Sequence, residues 1–349
     1  MKLVDFGISS EAPSFVVAEI SANHNGDKDA CIDLIDIAAS AGAGAVKFQT
    51  YTADTITLDS NFPDFRIPEN SPWASYGTLH KLYSHASTPW EWTEDLFEYA
   101  RSKDLYAFSS AFDETALDFL ESLDVPFHKI ASPEINHFPL IARIARTGKP
   151  IFLSLGVASE DDLQTALATI EKNGNPDVVI LQCDTSYPAD SANANISQLS
   201  NLKIAFDKLV GYSDHTTDSL TAILAVALGA KVFEKHLTSD APNESVDSFF
   251  STGGTMFNQY IQDIRRAEAG VGQQTYRTSD HESNNRSKRS IYPKKEILPG
   301  ERFTLDNIGI YRPGLSLNPR DLSWILGKES KRKLDIGERI SRDDVGDYN

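Results

Sequence analysis

The sequence predicts an α/β protein in which a closed (β/α)8 barrel, the TIM barrel, is followed by a small β-rich domain. Between residues 15 and 267, a short apolar run followed by a helical pattern recurs along the chain. This alternation implies parallel βαβ units, and eight in succession favour a closed barrel over an open doubly wound sheet. The GxGxxG loop of many open sheets does not follow the first run. After residue 268 the composition changes, which predicts a second domain.

Eight apolar runs are the predicted strands, and they lie at residues 15–20, 45–49, 106–109, 127–131, 151–154, 178–182, 208–211 and 231–235. The helical patterns between them include residues 28–41, 93–103, 114–122, 138–147, 159–172, 217–229 and 255–268. Several of these helices stop at a glycine, as at Gly148 and Gly229.

Three segments do not follow this alternation of strands and helices. Residues 52–92 form a long insertion rich in proline and tryptophan, which is either a functional loop or a packed surface excursion. Residues 269–289 are polar with a basic end and are predicted to be a linker after a barrel domain of residues 1–268. Residues 290–349 carry short strand-like pieces, glycine and proline turns and a brief helix near 319–326, typical of a small β-rich domain.

The composition narrows the class of function. The chain has 349 residues with a net charge of −17, and a field of that sign repels nucleic-acid phosphates and anionic membranes. Two cysteines do not make a disulfide framework, and no run reaches the length of a membrane helix or resembles a signal peptide. We therefore expect a soluble cytoplasmic protein that binds neither nucleic acid nor membrane.

Polar and ionisable residues stand at the C-terminal end of every predicted strand, which is where barrel enzymes carry their active sites. His215 and His236 end the seventh and eighth strands, so their imidazoles can converge on one divalent metal ion. Two structural histidines are the alternative interpretation.

Lysines inside apolar strands are costly unless they meet an anion. Lys47 and Lys129 occupy such positions, and with nearby serines they could form a cradle for phosphate and carboxylate groups. Lys129 could instead be a Schiff-base nucleophile of a barrel aldolase. Glu19, Glu134, Glu234 and Asp247 are candidate acids, bases or hydroxyl-binding groups, and a buried salt bridge to a lysine is the structural alternative for Glu234.

Several segments closely resemble the sialic acid synthase family. They are residues 18–26 (AEISANHNG), 45–50 (AVKFQT), 129–132 (KIAS), 211–216 (GYSDHT) and 234–236 (EKH). Residues 289–292 (RSIY) and 311–314 (YRPG) are similar to the antifreeze-like (SAF) domain of that family. Residues 79–83 (LHKLY), 88–92 (TPWEW) and 244–248 (ESVDS) look like its pseudaminic acid synthase branch.

The resemblance implies an enzyme that condenses phosphoenolpyruvate with the open-chain aldehyde of an N-acetylated amino sugar and water, releasing phosphate by C–O cleavage. For this branch the sugar would be 2,4-diacetamido-2,4,6-trideoxy-L-altropyranose and the product pseudaminic acid. A divalent metal on His215 and His236, most simply Mn²⁺ with Mg²⁺ or Co²⁺ as alternatives, would polarise the aldehyde.

The resemblance also implies roles for individual residues. Glu19, Lys47, Lys129 and Glu134 are the expected catalytic residues. Phosphoenolpyruvate would be held by Lys47, Ser110, Lys129, Ser132, Ser154, Asp184 and Ser213. The sugar would be held by Gln49, Glu134, Tyr187, Asp247 and Arg312. Arg312 would act across a homodimer in which the C-terminal domains are swapped.

Three alternatives remain at this stage. The sugar could be that of an N-acetylneuraminate or legionaminate synthase, the enzyme could be a Lys129 Schiff-base aldolase, or the chain could be a non-catalytic carbohydrate- or ice-binding protein. Asp184 replaces the neutral residue expected after Cys183. Its carboxylate would repel a bound phosphate unless it is protonated, paired or turned to the metal.

Overall fold

The computed structural model describes residues 1–174, 177–241, 244–272 and 282–346, with the side chains of 282–284 left aside. The chain divides into two compact units, Met1–Gly272 and Gln273–Asn349. In the described residues, no helix is both long and apolar enough to cross a bilayer.

The first unit is the predicted closed barrel. Its parallel strands are β1 (Phe15–Glu19), β2 (Ala45–Thr50), β3 (Tyr106–Ala111), β4 (His128–Ile130), β5 (Ile151–Ser154), β6 (Val178–Cys183), β7 (Leu209–Asp214) and β8 (Val232–Thr238). Each strand pairs with the next in sequence, and β1 also pairs with β8, so the sheet has no open edge around the ring. A short β9 (Thr252–Gly253) pairs in parallel with the end of β8. The strands are buried on both faces, which is why they are continuous apolar runs in the sequence.

The helices of this unit cover the outside of the barrel or belong to its loops. They are α1 (Lys28–Ala41), α2 (Ala53–Ile56), α3 (Leu79–Ala86), α4 (Thr93–Ser102), α5 (Glu114–Ser122), α6 (Phe138–Arg146), α7 (Glu160–Lys172), α8 (Gln198–Phe206), α9 (Leu220–Ala227) and α10 (Gly254–Val271). Side-chain caps begin several of them, such as Asp27 on α1, Asp113 on α5 and Ser159 on α7. Helix α8 was not among the predicted helices.

The long insertion between β2 and β3 is docked on the barrel rather than projecting from it. Ile67, Leu82 and Ala86 of the insertion form a small buried cluster with Ala22 and Val246 of the barrel loops. His24 joins the loop after β1 to the insertion through a 3.1 Å contact between its Nε2 and Thr88 Oγ1. Burial lowers the pKa of His24 to about 4, so this histidine is a neutral structural link.

The second unit has its own small core, built by buried apolar side chains at Ile291, Ile297, Phe303, Ile308, Leu317, Ile325, Leu334, Ile340 and Val345. Strand β10 (Ser290–Pro293) pairs antiparallel with β11 (Ile308–Tyr311), and α12 (Leu322–Ile325) lies in the stretch where a brief helix was predicted.

The predicted linker, residues 269–289, is only partly described, because 273–281 lie outside the described residues. Its ends are helical, since α10 continues to Val271 and α11 (Glu282–Ser287) precedes β10. These helical ends had no signal in the sequence, and the linker itself stays a prediction. A polar run without an apolar stripe does not show helical periodicity in sequence.

Candidate active site

The C-terminal ends of the barrel strands enclose one polar cavity. Ten of the predicted site residues line it: Lys47, Gln49, Ser110, Lys129, Ser132, Ser154, Tyr187, Ser213, His215 and His236. Glu234, Cys183, Phe112 and Thr185 also line it. Strand register explains this convergence, because Gln49 pairs with Ser110, Ser110 with Lys129, and Cys183 with Ser213 at one level of the barrel.

Lys47 lies between two buried carboxylates. Its Nζ is 2.5 Å from Glu19 Oε2 and 3.6 Å from Glu234 Oε2, and it donates to Ser110 Oγ at 3.3 Å. Burial opposes the ammonium, but the two carboxylates raise the pKa of Lys47 above its ordinary value. Burial raises the pKa of Glu19 despite Lys47. Lys47 is therefore charged. Of the two carboxylates beside it, Glu19 binds a proton more readily than Glu234.

Lys129 occupies the neighbouring position on β4. Its Nζ donates to Ser154 Oγ at 2.7 Å and to the carbonyl oxygen of Ile130 at 3.1 Å. Burial lowers the pKa of Lys129. Glu234 accepts a hydrogen bond from Ser213 Oγ at 2.9 Å. Burial alone would raise the pKa of Glu234, but Lys129 and Lys47 keep that pKa below its ordinary value. Lys47, Lys129 and Glu234 thus form the cavity floor, and Glu19 lies behind it against Lys47.

A turn after β5 positions two side chains that line this cavity. Ser132 Oγ accepts from the backbone N–H of Val157 at 2.7 Å, and Cys183 Sγ accepts from the N–H of Gly156 at 3.0 Å. A Cβ on Gly156 would lie 2.3 Å from Thr185 Cγ2 and 2.8 Å from Ser132 Oγ. Glycine is therefore needed at this close approach.

His215 and His236 meet at the opposite side of the cavity, with ring centroids 5.3 Å apart. His215 Nδ1 donates to the carbonyl oxygen of Asp184, which leaves the lone pair on its Nε2. His236 Nδ1 is buried and has no hydrogen-bond partner among the described residues. Burial lowers the pKa of both imidazoles, so both are neutral. Neutral imidazoles with a free nitrogen fit a divalent metal ion.

Within the described ranges, no group of three or more His, Cys, Asp or Glu side chains could hold a metal ion. The two histidines therefore have no third protein ligand of these types there. Metal binding by this pair would therefore depend on oxygen atoms of substrate or water for the remaining coordination positions.

A second buried ion pair lies at the ends of β7 and β8. Lys235 Nζ contacts Asp214 Oδ2 at 3.2 Å and donates to the carbonyl oxygen of Thr216 at 2.7 Å.

Asp184 is not among the residues that line the cavity. Its carboxylate accepts from the backbone N–H of Ser186 at 2.8 Å, as in a turn closed by an aspartate. Its carbonyl oxygen is the group that orients His215. The predicted contact of Asp184 with phosphoenolpyruvate stays a prediction.

Gln49 and Asp247 extend the polar network toward the loop after β8. Gln49 Nε2 donates to Glu19 Oε1 and to Ser21 Oγ, each at 3.1 Å. Ser21 Oγ in turn donates to Asp247 Oδ2, which also accepts from Ala22 N–H at 3.4 Å. Burial raises the pKa of Asp247. Asp247 and Glu19 do not line the cavity themselves but stand behind Gln49 and Lys47.

Glu134 lies in the turn after β4 and also falls outside the cavity lining. Burial raises its pKa to about 7, although Lys129 and Lys47 lower it. Its Oε2 is buried and accepts no hydrogen bond from the described part of the chain. A carboxyl with this pKa can hold and release a proton near neutral pH.

Aromatic rings border the histidine pair, and of these the sequence analysis singled out Tyr187 but not Phe250 or Trp73. The Tyr187 ring lies 4.5 Å from the His215 ring, and the Phe250 ring lies 4.8 Å from the rings of both His236 and Tyr187. The Trp73 ring of the insertion is 6.1 Å from that of Tyr187. The run Phe249-Phe250, two residues after Asp247, is the sequence signal that could have indicated this cluster.

Arg312 belongs to the second unit. It lies in a shallow groove of that unit with Tyr292, Lys294, Tyr311 and Ile336. The predicted contact of Arg312 with the sugar of a partner subunit stays a prediction.

Comparison with known proteins decides the family. The model of the NeuB family matches residues 34–276, and that of the SAF domain matches residues 288–346. The chain belongs to the NeuB family. It is 38% identical to the pseudaminic acid synthase of Helicobacter pylori over 335 residues, covering 95% of this chain and 98% of that protein. The pseudaminic acid synthase of Campylobacter jejuni strain 81-176 is 36% identical over 331 residues, covering 95% and 96%.

Other NeuB-like proteins are similar along nearly the whole chain. The N,N'-diacetyllegionaminic acid synthase of Legionella pneumophila is 32% identical, covering 95% of this chain and 94% of that protein. Among solved structures, the spore coat polysaccharide biosynthesis protein SpsE of Bacillus subtilis has a TM-score of 0.65 and 32% identity, covering 98% of each chain. The predicted family, fold and enzyme class, a nonulosonic acid synthase that uses phosphoenolpyruvate, are confirmed.

Proposed function

We propose that this protein is a pseudaminic acid synthase. It would condense phosphoenolpyruvate with 2,4-diacetamido-2,4,6-trideoxy-L-altropyranose and water to give pseudaminic acid and phosphate. The observation that carries the proposal is the two-sided cavity, with buried Lys47 and Lys129 among serines on one side and the neutral His215–His236 pair on the other. The two relatives named pseudaminic acid synthase, at 36% and 38% identity, support the choice of sugar.

The lysine side suits a small molecule that carries phosphate and carboxylate. Lys47 and Lys129 are both almost fully buried, and their charges are neutralised by Glu19 and Glu234. An anion that enters this space gains two ammonium groups and several serine hydroxyls in a site of low dielectric constant, where such interactions are strong. The same groups would stabilise charge that develops on phosphate as it leaves.

The histidine side suits the aldehyde of the acceptor sugar. A divalent cation held by His215 and His236, which we propose to be Mn²⁺ with Mg²⁺ or Co²⁺ as alternatives, would polarise the aldehyde oxygen. His215 is oriented for this role by its hydrogen bond to the carbonyl oxygen of Asp184. The lysine and serine groups would then hold phosphoenolpyruvate with its C3 directed at the aldehyde carbon.

The bond changes balance with water as the only other reactant. C3 of phosphoenolpyruvate bonds to the aldehyde carbon, the oxygen of water bonds to C2, and the bond between C2 and the bridging oxygen breaks as phosphate leaves. Water loses both of its protons as its oxygen becomes the C2 carbonyl oxygen, and one of these protons goes to the former aldehyde oxygen and the other to the departing phosphate. Glu134, with a pKa of about 7, is suited to one of these transfers, and Glu19 is the second candidate.

The remaining parts of the sugar site are proposed on the polar network. Gln49, Tyr187 and Asp247 would contact hydroxyl and acetamido groups of the acceptor. Arg312 would contact an acetamido group across a domain-swapped homodimer. We place the reaction in the cytoplasm, where phosphoenolpyruvate is available.

The experiment is phosphate release by the purified protein with phosphoenolpyruvate, Mn²⁺ and a panel of N-acetylated amino sugars. Equal amounts of phosphate and nine-carbon acid from the diacetamido-trideoxy-altrose acceptor are expected. A higher kcat/KM with N-acetylmannosamine or with the legionaminate precursor would assign a different branch. Release of no phosphate with any sugar would favour a carbohydrate-binding role.

The Schiff-base alternative is tested in parallel. Burial lowers the pKa of Lys129, which an amine nucleophile requires, but its Nζ donates to Ser154 and Ile130. Borohydride should trap no substrate on Lys129, and EDTA should stop phosphate release. Trapping without sensitivity to EDTA would favour the aldolase mechanism.

A further inference from the structure

An aromatic surface continues from the histidine pair toward the insertion. We define the aromatic wall as Trp73, Tyr187, Phe249 and Phe250. Phe250 contacts the His236 ring at 4.8 Å, and Trp73 is 5.7 Å from Phe249 and 6.5 Å from Phe250. The rings form one connected set that begins at the proposed aldehyde position and ends in the insertion.

At the end near the insertion, the aromatic wall presents carbon atoms rather than free hydrogen-bonding groups. The indole Nε1 of Trp73 already donates to the carbonyl oxygen of Val246 at 3.0 Å. Phe249 has no polar atom in its side chain, and 47% of it is exposed although it packs against Trp73. An exposed aromatic face that adjoins a polar cavity is typical of a subsite for the apolar part of a ligand.

The order of the rings suits an acceptor that starts at the histidines. Trp73 is two ring contacts away from either histidine, with centroid distances of 4.5 and 6.1 Å by way of Tyr187, or 4.8 and 6.5 Å by way of Phe250. A six-carbon chain spans about 6 Å between its first and last carbons, and van der Waals contact with a ring adds about 4 Å. An acceptor whose aldehyde carbon lies beside the histidines, and whose chain runs along Tyr187 and Phe250, would therefore direct its far end toward Trp73 and Phe249.

We infer that the aromatic wall is a specificity subsite for the deoxy methyl group at the far end of the acceptor, with Trp73 and Phe249 as its determining residues. This inference rests on the proposed function. A methyl group gains by burial against the rings, whereas a hydroxymethyl group there would lose hydrogen bonds to water without replacement. The insertion thus has a functional role, because it supplies Trp73 to the site.

The position of Trp73 depends on how the insertion is docked. The indole of Trp73 donates a hydrogen bond to the carbonyl oxygen of Val246. Val246 lies three residues before Phe249 in the loop after β8. Val246 itself is buried among Ile67 and Leu82 of the insertion. The insertion and this loop are therefore one packed body, and Trp73 and Phe249 keep their relative places.

The test compares two acceptors that differ only at C6, namely 2,4-diacetamido-2,4,6-trideoxy-L-altrose and its 6-hydroxy counterpart. We expect wild-type kcat/KM to favour the methyl sugar by about 10- to 100-fold, the range for one small apolar group. Phe249→Ala and Trp73→Ala should reduce this preference to less than about threefold by lowering kcat/KM for the methyl sugar. The KM for phosphoenolpyruvate should not change.

Two variants separate recognition from folding. Trp73→Phe keeps a ring and should retain most of the preference. Tyr76→Ala removes an aromatic side chain that packs on the same insertion cluster but contacts His85 rather than the wall, and it should leave the preference unchanged. Phe249→Ala changes an exposed side chain and is expected to fold.

The outcomes are distinguishable. A wild-type preference near one, or an unchanged preference in Phe249→Ala, overturns the inference while phosphate release by wild type sustains the proposed function. Loss of preference in Tyr76→Ala equal to that in Trp73→Ala also overturns it, because general loosening of the insertion would then be the cause. Release of no phosphate by wild type with either sugar overturns the proposed function and the inference together.

Discussion

Replacing Lys47 by methionine tests the charge arrangement on the cavity floor. The side chain is buried, and its Nζ stands 2.5 Å from Glu19 and 3.6 Å from Glu234. Methionine fills a similar volume but leaves the two carboxylates without this cation. Burial already raises the pKa of Glu19 in the presence of Lys47, so Glu19 is the group that must adjust.

The expected loss is about 3–5 kcal/mol in the free energy of unfolding at pH 8, as found when one partner of a buried ion pair is removed. Adding Glu19→Gln to the methionine variant should recover about 2 kcal/mol, because the orphaned carboxylate is then removed. Without Lys47 the folded-state pKa of Glu19 is raised further above its unfolded value. The deficit should therefore shrink as the pH falls below 8, because protonation of Glu19 removes the orphaned charge.

The assay is urea unfolding followed by circular dichroism at pH 8 and pH 5.5. Lys103→Met is the matched control, because its ion pair with Asp36 spans 2.6 Å but both side chains are more than one-third exposed, so solvent screens the pair and a much smaller loss than for Lys47→Met is expected. A loss below about 1 kcal/mol for Lys47→Met, or no recovery in the double variant, would refute the reasoning. The double variant should still release no phosphate, since the proposed ammonium ligand is missing.

Three further predictions concern other parts of the cavity. Glu134→Gln should remove an ionisation near pH 7 from the activity profile. Because the folded pKa of Glu134 is raised from 4.5 to about 7, its replacement should also stabilise the protein by about 1–3 kcal/mol at pH 8 and little at pH 5, and equal effects at both would contradict the assignment. Gly156→Ala should displace Ser132 and lower kcat/KM for phosphoenolpyruvate by about 100-fold, with a loss of about 1–3 kcal/mol in the free energy of unfolding, and an unchanged kcat/KM would count against the cradle. His215→Ala and His236→Ala should each abolish Mn²⁺ binding in calorimetry and phosphate release, and wild-type binding by either variant would exclude the metal site.

The barrel could be predicted from sequence because its physical signals are local. The barrel strands are almost wholly buried and are short runs dominated by apolar residues, and most of the helices have caps or glycine stops. Helix α8 lacked such a signal, since Ser197 makes no side-chain cap and apolar residues are spread around the helix. Exposed Ile204 in α8 is one such residue.

The site could be predicted as a set of residues but not as a set of contacts. Polar strand ends in a closed barrel must face one another, which brought Lys47, Lys129 and the histidines together. Which carboxylate pairs with which lysine depends on barrel register, and the direction of Asp184 depends on a turn hydrogen bond to Ser186. The contact of Trp73 with the loop after β8 spans 173 residues and has no local signal.

The central claim is that this barrel joins phosphoenolpyruvate to the diacetamido-trideoxy-altrose acceptor with cleavage of the C–O bond. The most direct measurement uses phosphoenolpyruvate labelled with ¹⁸O at the bridging oxygen, with mass spectrometry of both products. The account predicts that the label leaves in phosphate and that the sugar product is a nine-carbon acid without it. Label retained in the sugar, or phosphate released at the same rate when the acceptor is omitted, would contradict the account.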